Sequence, residues 1–475
     1  MSKISGPLAS SAHVSAPAMD DAWLTGEIAV LGLGRSGRSV ATLLARTGSK
    51  VYASDGASGD LVERNAAALR EEGVDVQVGG HDLTRIGRAS LVVASPGIPP
   101  EAAPIVAARA AGIPLVGEIE IALRFLPHLR YIAVTGTNGK TTTTALIAHL
   151  LRGLRLRAEA AGNIGTPLAE FAAAAAPPEW VALELSSFQL HDTPSVNPHV
   201  GVLTNLSANH LDRYPDAESY FADKALMFRN ATAAGHWVSN LDDAAVQGMM
   251  ERVPGLQVSF STAGRSDAWY DRGADTLVVL GETVLSRGEL TLLGDHNVAN
   301  ALAACLAVML ADPHHRTPDA IRRLGNALRS FRALEHRIET VGEWNGITWI
   351  NDSKSTNIAS TLVALRGMTA PTILLLGGKH KGEPYTALAA EVKRTVKRVI
   401  AYGEAESLIA QDLDGSVEVV RAGSDFEAVV RAARDAAVPG DVVLLSPACS
   451  SYDMFDHYEH RGAEFKRIAA AIASR

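Results

Sequence analysis

Short β-branched runs that stop at glycine, aspartate or proline alternate with helix-like runs along almost the whole of this 475-residue chain. No other feature restricts the fold as much, because the alternation calls for parallel sheets whose strands are joined by helices packed on both faces. The runs fall into three sets. The first holds EIAVLGLG, KVYASD and SLVVASPG, the second YIAVTGTNGK, WVALELSS and HVGVLTNLS, and the third GITWIND, TILLLGGK, RVIAYGE and DVVLLSPA. A chain of this length exceeds what one core organises, and the changeovers fall near Gly117-Glu118 and near SFRALEHRIE. The expected class is therefore α/β in three domains, with residues 1–22 as a flexible tail rich in Ser, Ala and Pro and the domains at 23–118, 119–332 and 333–475. Open α/β sheets bind ligands beyond the carboxyl ends of their strands, so each domain could hold one.

Composition narrows the partners. The formal net charge is −8, and no block of like charges stands out, which gives no footing for nucleic acid or an anionic membrane. Small molecules are the expected ligands. Cys305 and Cys449 form no C-x-x-C pair, so neither a disulfide framework nor a thiolate metal site is supported, and a reducing cytoplasm fits. Cys449 reads as a small buried residue. The N-terminal stretch lacks the uninterrupted apolar core of a signal peptide. NVANALAACLAVMLA is too short to span a bilayer and reads as a packed helix. FAAAAAPP reads as a helix end and a loop.

The second set begins with YIAVTGTNGKTTTTALIAHLL, a strand, a glycine-containing turn and a helix. The turn ends as a phosphate-binding loop does, yet the position where G-x-x-x-x-G-K-[ST] requires glycine is Val134. Gly136 and Gly139 still allow a tight turn at a helix N-terminus, where free N–H groups and the helix dipole favour phosphate. Lys140 would neutralise phosphate charge, and the Thr141 hydroxyl could ligate Mg²⁺. Glu184, at the end of an apolar strand, and His210, in NLSANHLDRY, are candidates for a Mg²⁺ site. Taken alone, a strand-end Glu is more often a helix cap or salt-bridge partner and a loop His more often solvated. In the first set, GLGRSG is a complete G-x-G-x-x-G closing a strand, with Asp55 ending the next strand at the customary distance; read from the residues alone, that pattern says NAD.

Taken together, GLGRSG, VASPGI, GEIE, VTGTNGKTT, GNIGTP, ELSSFQL, NHLDRY, LEHRIE, WINDSKSTN, LLLGGKHKG and LLSPACSSYDMF resemble the Mur ligases, ATP-dependent enzymes that add amino acids to the UDP-linked precursor of peptidoglycan. The family's loop has the form T-G-T-N-G-K-[ST], so the absent first glycine is a family trait. The resemblance implies a Rossmann-like N-terminal domain, a central P-loop ATPase-like domain, a Rossmann-like C-terminal domain, and ATP and Mg²⁺ as cofactors. It is nearest to members that join D-glutamate to UDP-N-acetylmuramoyl-L-alanine through an acyl phosphate. It also implies a cytoplasmic monomer.

Carried onto this chain, the resemblance assigns ATP to Thr135, Gly136, Thr137, Asn138, Gly139, Lys140, Thr141 and Thr142, to Asn297 and Asn300, and to Arg337, Asp352 and Lys354. It gives the metals to Thr141, Glu184, His210 and, if carbamylated, Lys224. Catalytic roles fall to Lys140, Glu184, His210 and Lys224. The UDP substrate goes to Gly34, Arg35, Ser36, Asp55, Ser95 and Asn163, and D-glutamate to Thr356, Lys381, Ser451 and Tyr458. On residues alone Lys224 reads as a plain surface lysine of an amphipathic helix, Asn297 and Asn300 as a helix start, and Arg337 with Asp352 as a salt bridge. Two positions depart from the family pattern. Asn209 stands where many members have Asp beside the metal-site histidine, and Tyr458 stands where a Phe commonly packs. The alternatives are another Mur-type or folylpolyglutamate ligase, an NAD-dependent oxidoreductase resting on GLGRSG, and a nucleotide-regulated switch resting on the loop.

Overall fold

The computed structural model describes residues 20–209, 213–332 and 335–473. Three sheets account for its strands. The first is fully parallel, with β1 (Glu27–Leu31), β2 (Lys50–Asp55), β3 (Asp75–Val78), β4 (Leu91–Ala94) and β5 (Leu115–Gly117) in the order 3-2-1-4-5. The second holds β6 (Arg130–Thr135), β7 (Ala158–Gly162), β8 (Trp180–Glu184), β9 (Val200–Leu203), β10 (His236–Asn240), β11 (Leu256–Ser261), β12 (Ala268–Asp271), β13 (Thr276–Val279) and β14 (Glu282–Ser286). Their order is 14-13-12-11-10-9-6-8-7. The third holds β15 (Glu339–Trp344), β16 (Ile347–Asn351), β17 (Thr372–Gly377), β18 (Val396–Tyr402), β19 (Glu418–Arg421) and β20 (Val442–Leu445), in the order 15-16-20-17-18-19.

Every strand run expected from the sequence is present. The continuous apolar stretches of β6, β8 and β9 are buried throughout, apart from half-buried Arg130 at the start of β6, because helices cover both faces of a parallel sheet. The second and third sheets are not purely parallel, however. The β12-β13 and β13-β14 pairs and the β15-β16 pair are antiparallel. Their connections are too short for a crossover helix, and Leu280-Gly281 and Asn345-Gly346 supply the positive φ that tight hairpins need. FAAAAAPP is the end of the helix Leu168–Ala172 followed by a loop. NVANALAACLAVMLA lies within the helix Asp295–Ala311. Among the described residues no helix is long and apolar enough to cross a membrane.

The chain divides into two compact units, one with the first and second sheets and the other with the third sheet plus Ser207–Ala217 and Gly288–Ala299. In the first unit a single apolar cluster runs from Ile28 and Val40 through Ile119 and Ala133 to Met250. Polar contacts reinforce that junction. Gly117 N donates to Asp192 O at 2.8 Å, Ala169 N to Glu118 Oε1 at 2.6 Å, and Ser195 N and Oγ to Glu120 Oε2 at 2.9 and 2.7 Å. The GEIE segment is thus a clamp between the first two sheets. In the second unit, separate apolar layers lie on the two faces of the third sheet.

Burial pushes the Glu118 carboxyl up to about 7, against the opposing hydrogen bond from Ala169. The native state therefore holds a proton that the unfolded chain releases near its ordinary value, and the associated stability is complete below that value and lost as pH rises through about 7. Glu118→Gln keeps an acceptor for Ala169 N and removes the titration. Scanning fluorimetry should give matching melting temperatures at about pH 4 and, above pH 7, a variant more stable than the parent by roughly a few degrees; parallel pH profiles would refute this.

Candidate functional site

The turn between β6 and the helix Lys140–Gly153 is built from the sheet outward. Val134 is an interior strand residue, in register with Glu184 of β8 on one side and Val202 of β9 on the other, so the strand runs on through the position where the usual loop would begin with glycine. The turn opens instead at Gly136, whose φ is 139° and where a Cβ would lie 2.1 Å from Thr204 Oγ1. Gly139 caps the helix at φ 80°, and a Cβ there would lie 2.5 Å from Asn300 Oδ1. No side chain fits at either place. Lys140 Nζ donates to Gly136 O at 2.9 Å and Thr137 O at 2.7 Å, curling over the turn. Thr141 and Thr142 are buried in the first helical turn, and Thr135 Oγ1 donates to Leu185 O at 2.8 Å. The result is a glycine nest at a helix N-terminus with one lysine amine folded over it, an anion site suited to phosphates.

Two further groups come to this turn. Glu184 is almost fully buried; its Oε1 accepts from Asn163 Nδ2 at 2.8 Å, and its Oε2 is buried with no hydrogen-bond partner among the described residues. Lys224, on the helix Ala217–Ala225, is 1% exposed and donates from Nζ to Gly136 O at 2.7 Å, with the Tyr220 ring centroid 4.5 Å away. The reading of Lys224 as a surface lysine is therefore overturned. Burial first, and the Lys140 charge second, hold its pKa well below the usual lysine range, with Glu184 and Asp223 pulling the other way.

A hard dication fits here on one observation. The unpartnered Glu184 oxygen is an anionic ligand already stripped of water, the Thr141 hydroxyl stands at the turn, and phosphate and water would complete an oxygen shell. Among the described residues no three His, Cys, Asp or Glu cluster as a metal site, and His210 lies outside those residues. Asn209 is buried. On the helix Asp295–Ala311, Asn300 Oδ1 accepts from Thr143 Oγ1 at 3.2 Å, while Asn297 Nδ2 donates to Leu293 O at 2.8 Å.

At the first sheet, Gly32 (φ 86°) and Gly37 permit close packing, since a Cβ on Gly37 would lie 1.8 Å from Gly32 O and one on Gly32 would lie 2.8 Å from Ser95 Oγ. Gly34, the N-cap of the helix Arg35–Arg46, faces open space, leaving that N-terminus and Ser36 approachable. Arg35 stands 3.8 Å from Glu170. Asp55 has a structural part in this turn. Its Oδ2 accepts from Leu33 N at 2.7 Å and its Oδ1 from Ala57 N at 2.9 Å, so the carboxylate fastens the glycine turn to β2.

The third sheet gathers its own group. Asp352 is buried, accepts from Ser355 Oγ at 2.5 Å, Ser446 Oγ at 2.8 Å and Ile338 N at 3.2 Å, and is pushed up to about 6 by burial against these bonds and the Arg337 charge. Lys381 Nζ donates to Thr356 Oγ1 at 3.3 Å, and Lys354 Nζ lies 5.2 Å from the Tyr458 ring centroid. Ser451 is buried at the end of the loop after β20.

Sequence reasoning missed two organisers. Arg461 is fully buried and donates to Ser353 Oγ and O at 2.9 and 2.7 Å and to Cys449 and Ser450 carbonyls at 3.2 and 3.3 Å, tying together the loops that carry Lys354, Thr356 and Ser451. Cys449, likewise buried, meets Tyr385 OH at 2.8 Å, and burial pushes its thiol up to about 12, an inert state. The other organiser, Asn205, holds the glycine turn itself through Asn138. Arg461 lies in none of the quoted motifs, and Asn205 opens NLSANHLDRY, where His210 drew the attention.

Three family models match the chain in succession: Mur ligase MurD-like, N-terminal domain, over residues 26–117; Mur ligase middle domain over 134–308; and Mur ligase, glutamate ligase domain, over 336–449. The chain is 38% identical over 453 residues to the UDP-N-acetylmuramoylalanine–D-glutamate ligase of Acidobacterium capsulatum, covering 94% of this chain and 96% of that one. It is also 38% identical over 440 residues to the enzyme of the same name from Shouchella clausii, covering 92% and 95%. Among solved structures, the UDP-N-acetylmuramate-alanine ligase MurC of Thermotoga maritima shares the fold at a TM-score of 0.60 and 19% identity, covering 94% of this chain and all of that one. The MurF ligase of the same organism, in complex with ADP, does so at 0.58 and 18%, covering 95% and 100%. These matches exclude the dehydrogenase and the switch, and with the glycine turn, Glu184 and Lys224 already in place they identify the chain as belonging to the Mur ligase family of ATP-dependent, ADP-forming amide ligases.

Proposed function

We propose that the chain joins D-glutamate to UDP-N-acetylmuramoyl-L-alanine at the expense of ATP, in peptidoglycan precursor synthesis. One observation carries the site: a fully buried lysine, Lys224, ends on the same turn as Lys140 and beside a buried carboxylate, Glu184, with an unused oxygen. A structural turn would not accumulate such costly groups. The names of the full-length relatives supply the substrates.

In the first step a terminal carboxylate oxygen of the UDP substrate attacks the γ-phosphorus of ATP, the bond to the β,γ-bridging oxygen breaks, and ADP leaves from an acyl phosphate. The unprotonated amine of D-glutamate then attacks the acyl carbon, phosphate departs with the C–O electron pair, and the nitrogen releases a proton as the amide forms. The turn from Thr135 to Thr142 would cradle the nucleotide phosphates, and Lys140 would spread the charge that moves onto the leaving ADP. Asn163, held by Glu184, would orient the UDP substrate; Gly34, Arg35, Ser36 and Ser95 would hold its diphosphate, with Asp55 acting through the shape of the turn. Asn297, Asn300, Arg337, Asp352 and Lys354 are assigned to ATP, and Thr356, Lys381, Ser451 and Tyr458 to D-glutamate.

Mg²⁺ held by Glu184, Thr141 and His210 would supply charge neutralisation at the phosphates. The depressed pKa of Lys224 favours its unprotonated amine, the form that would add CO₂ and, losing one proton, become an anionic carbamate able to serve as an additional oxygen ligand. The protein is taken as a cytoplasmic monomer.

Phosphate release with ATP, Mg²⁺ and UDP-N-acetylmuramoyl-L-alanine, supplying one amino acid at a time, should require both substrates and strongly favour D-glutamate. Preference for another amino acid would move the step, and release with none would remove the assignment. Lys140→Ala should cost about 10²–10³ in kcat with the fold retained by circular dichroism. Lys224→Ala should lose turnover that millimolar short carboxylates partly restore; full activity without them would reject the carbamate.

A further inference from the structure

Asn205, to which no part in the reaction is assigned, holds the turn's conformation. Thr137 N donates to Asn205 O at 2.8 Å, Asn138 N donates to Asn205 Oδ1 at 2.8 Å, and Asn205 Nδ2 donates back to Asn138 O at 2.9 Å. One carboxamide thus pairs with both ends of a single residue's backbone, as a neighbouring strand would, and adds a main-chain bond to the residue before. Thr204 Oγ1 also donates to Asn138 O, at 2.7 Å.

Thr204 and Asn205 are themselves fixed from behind. They follow β9, which is paired to β6 and β10. Asn240 Nδ2 donates to Thr204 O at 3.0 Å, and Leu206 N donates to Asp243 Oδ2 at 2.8 Å. Gly136 rests on the same two residues, where a Cβ would lie 3.1 Å from both Asn205 N and Asn205 O.

We propose that Asn205 is a positioning residue for ATP, a splint that ties the backbone N–H of Thr137 and the N–H and C=O of Asn138 and so fixes the shape of the nest that receives the phosphates. This rests on the reading of the turn as the ATP site. The turn contains two glycines at positive φ and can adopt many shapes. Without the splint the binding-competent shape is only fractionally populated, and apparent nucleotide affinity falls by that fraction, whereas ATP in excess restores the competent shape. The carboxamide is the only uncharged side chain of this length that offers a donor and an acceptor side by side. Aspartate keeps the shape, loses the donor to Asn138 O and brings a negative charge to a phosphate site, so it should be worse than alanine.

The test is steady-state kinetics of the full chain with varied ATP and Mg²⁺ at saturating co-substrates, together with ADP binding by calorimetry, for Asn205→Ala, Asn205→Asp and Lys140→Ala. Asn205→Ala should raise the KM for ATP and the Kd for ADP roughly ten-fold or more. The KM for each co-substrate should stay put, kcat should fall by a smaller factor than KM rises, and Asn205→Asp should exceed it. A merely structural asparagine would lower the melting temperature or kcat and leave the ATP KM and ADP Kd alone; that result, in whichever variant folds, overturns the splint while Lys140→Ala is inactive. If Lys140→Ala keeps normal ATP kinetics, the ATP reading of the turn fails, and the splint with it.

Discussion

The seat of the glycine turn, where β6 ends between its parallel neighbours β8 and β9, is the constraint on which the rest of the site depends. Register places Val134 level with Glu184 and Val202, so the turn that follows β6 leaves the sheet with the Glu184 carboxylate on one flank and Thr204-Asn205 on the other. A slip of one residue in either pairing would send the neighbouring side chain to the opposite face. The absence of glycine at position 134 follows from the same geometry. The strand needs a buried β-branched residue there, and the conformational freedom is required at Gly136 and Gly139, where any side chain would collide with Thr204 or Asn300.

Around that seat the protein accepts groups that a core would ordinarily exclude. Glu184 and Lys224 are both almost wholly removed from water, Lys140 adds a second amine, and the carboxylate oxygen nearest to being a ligand makes no hydrogen bond among the described residues. Burial of a charge is costly unless it is paired or neutralised, and here one amine is driven toward its neutral form by that cost. The third sheet shows a related pattern in a separate unit. Arg461 is buried with hydroxyl and carbonyl oxygens as its partners among the described residues, and it uses its planar fork to hold the two loops after β16 and β20 in one arrangement. In both places the expense goes into fixing loop shape rather than into stability.

The sequence disclosed the strands, because their apolar runs are long and end at Gly, Asp or Pro, and it disclosed the phosphate turn, because a Gly-Lys-Thr triplet between strand and helix has a physical meaning of its own. It did not disclose the antiparallel hairpins at β12-β14 and β15-β16, whose turns are short and whose strands resemble any other. The burial of Lys224 was hidden because its helix, AESYFADKA, shows only Tyr220 and Lys224 as buried positions, too thin a stripe for an amphipathic pattern. Asp55 has a structural part that its spacing does not show. Its spacing suits a ribose contact, yet its oxygens go to the backbone of Leu33 and Ala57. Asn205 and Arg461 bond mainly to main-chain atoms, Asn205 across 67 residues of sequence and Arg461 across as many as 108, and contacts to backbone leave no complementary side chain to be read.

The protonation state of Lys224 tests the account most directly. Lysine labelled with ¹³C at Cε, followed by NMR through a pH titration with Lys224→Arg to assign the signal, reports that amine alone. The account predicts a resonance that titrates far below the ordinary lysine range, or that is replaced by a carbamate signal when ¹³C-bicarbonate is supplied. A Lys224 resonance that titrates with the other lysines and takes up no label would contradict it.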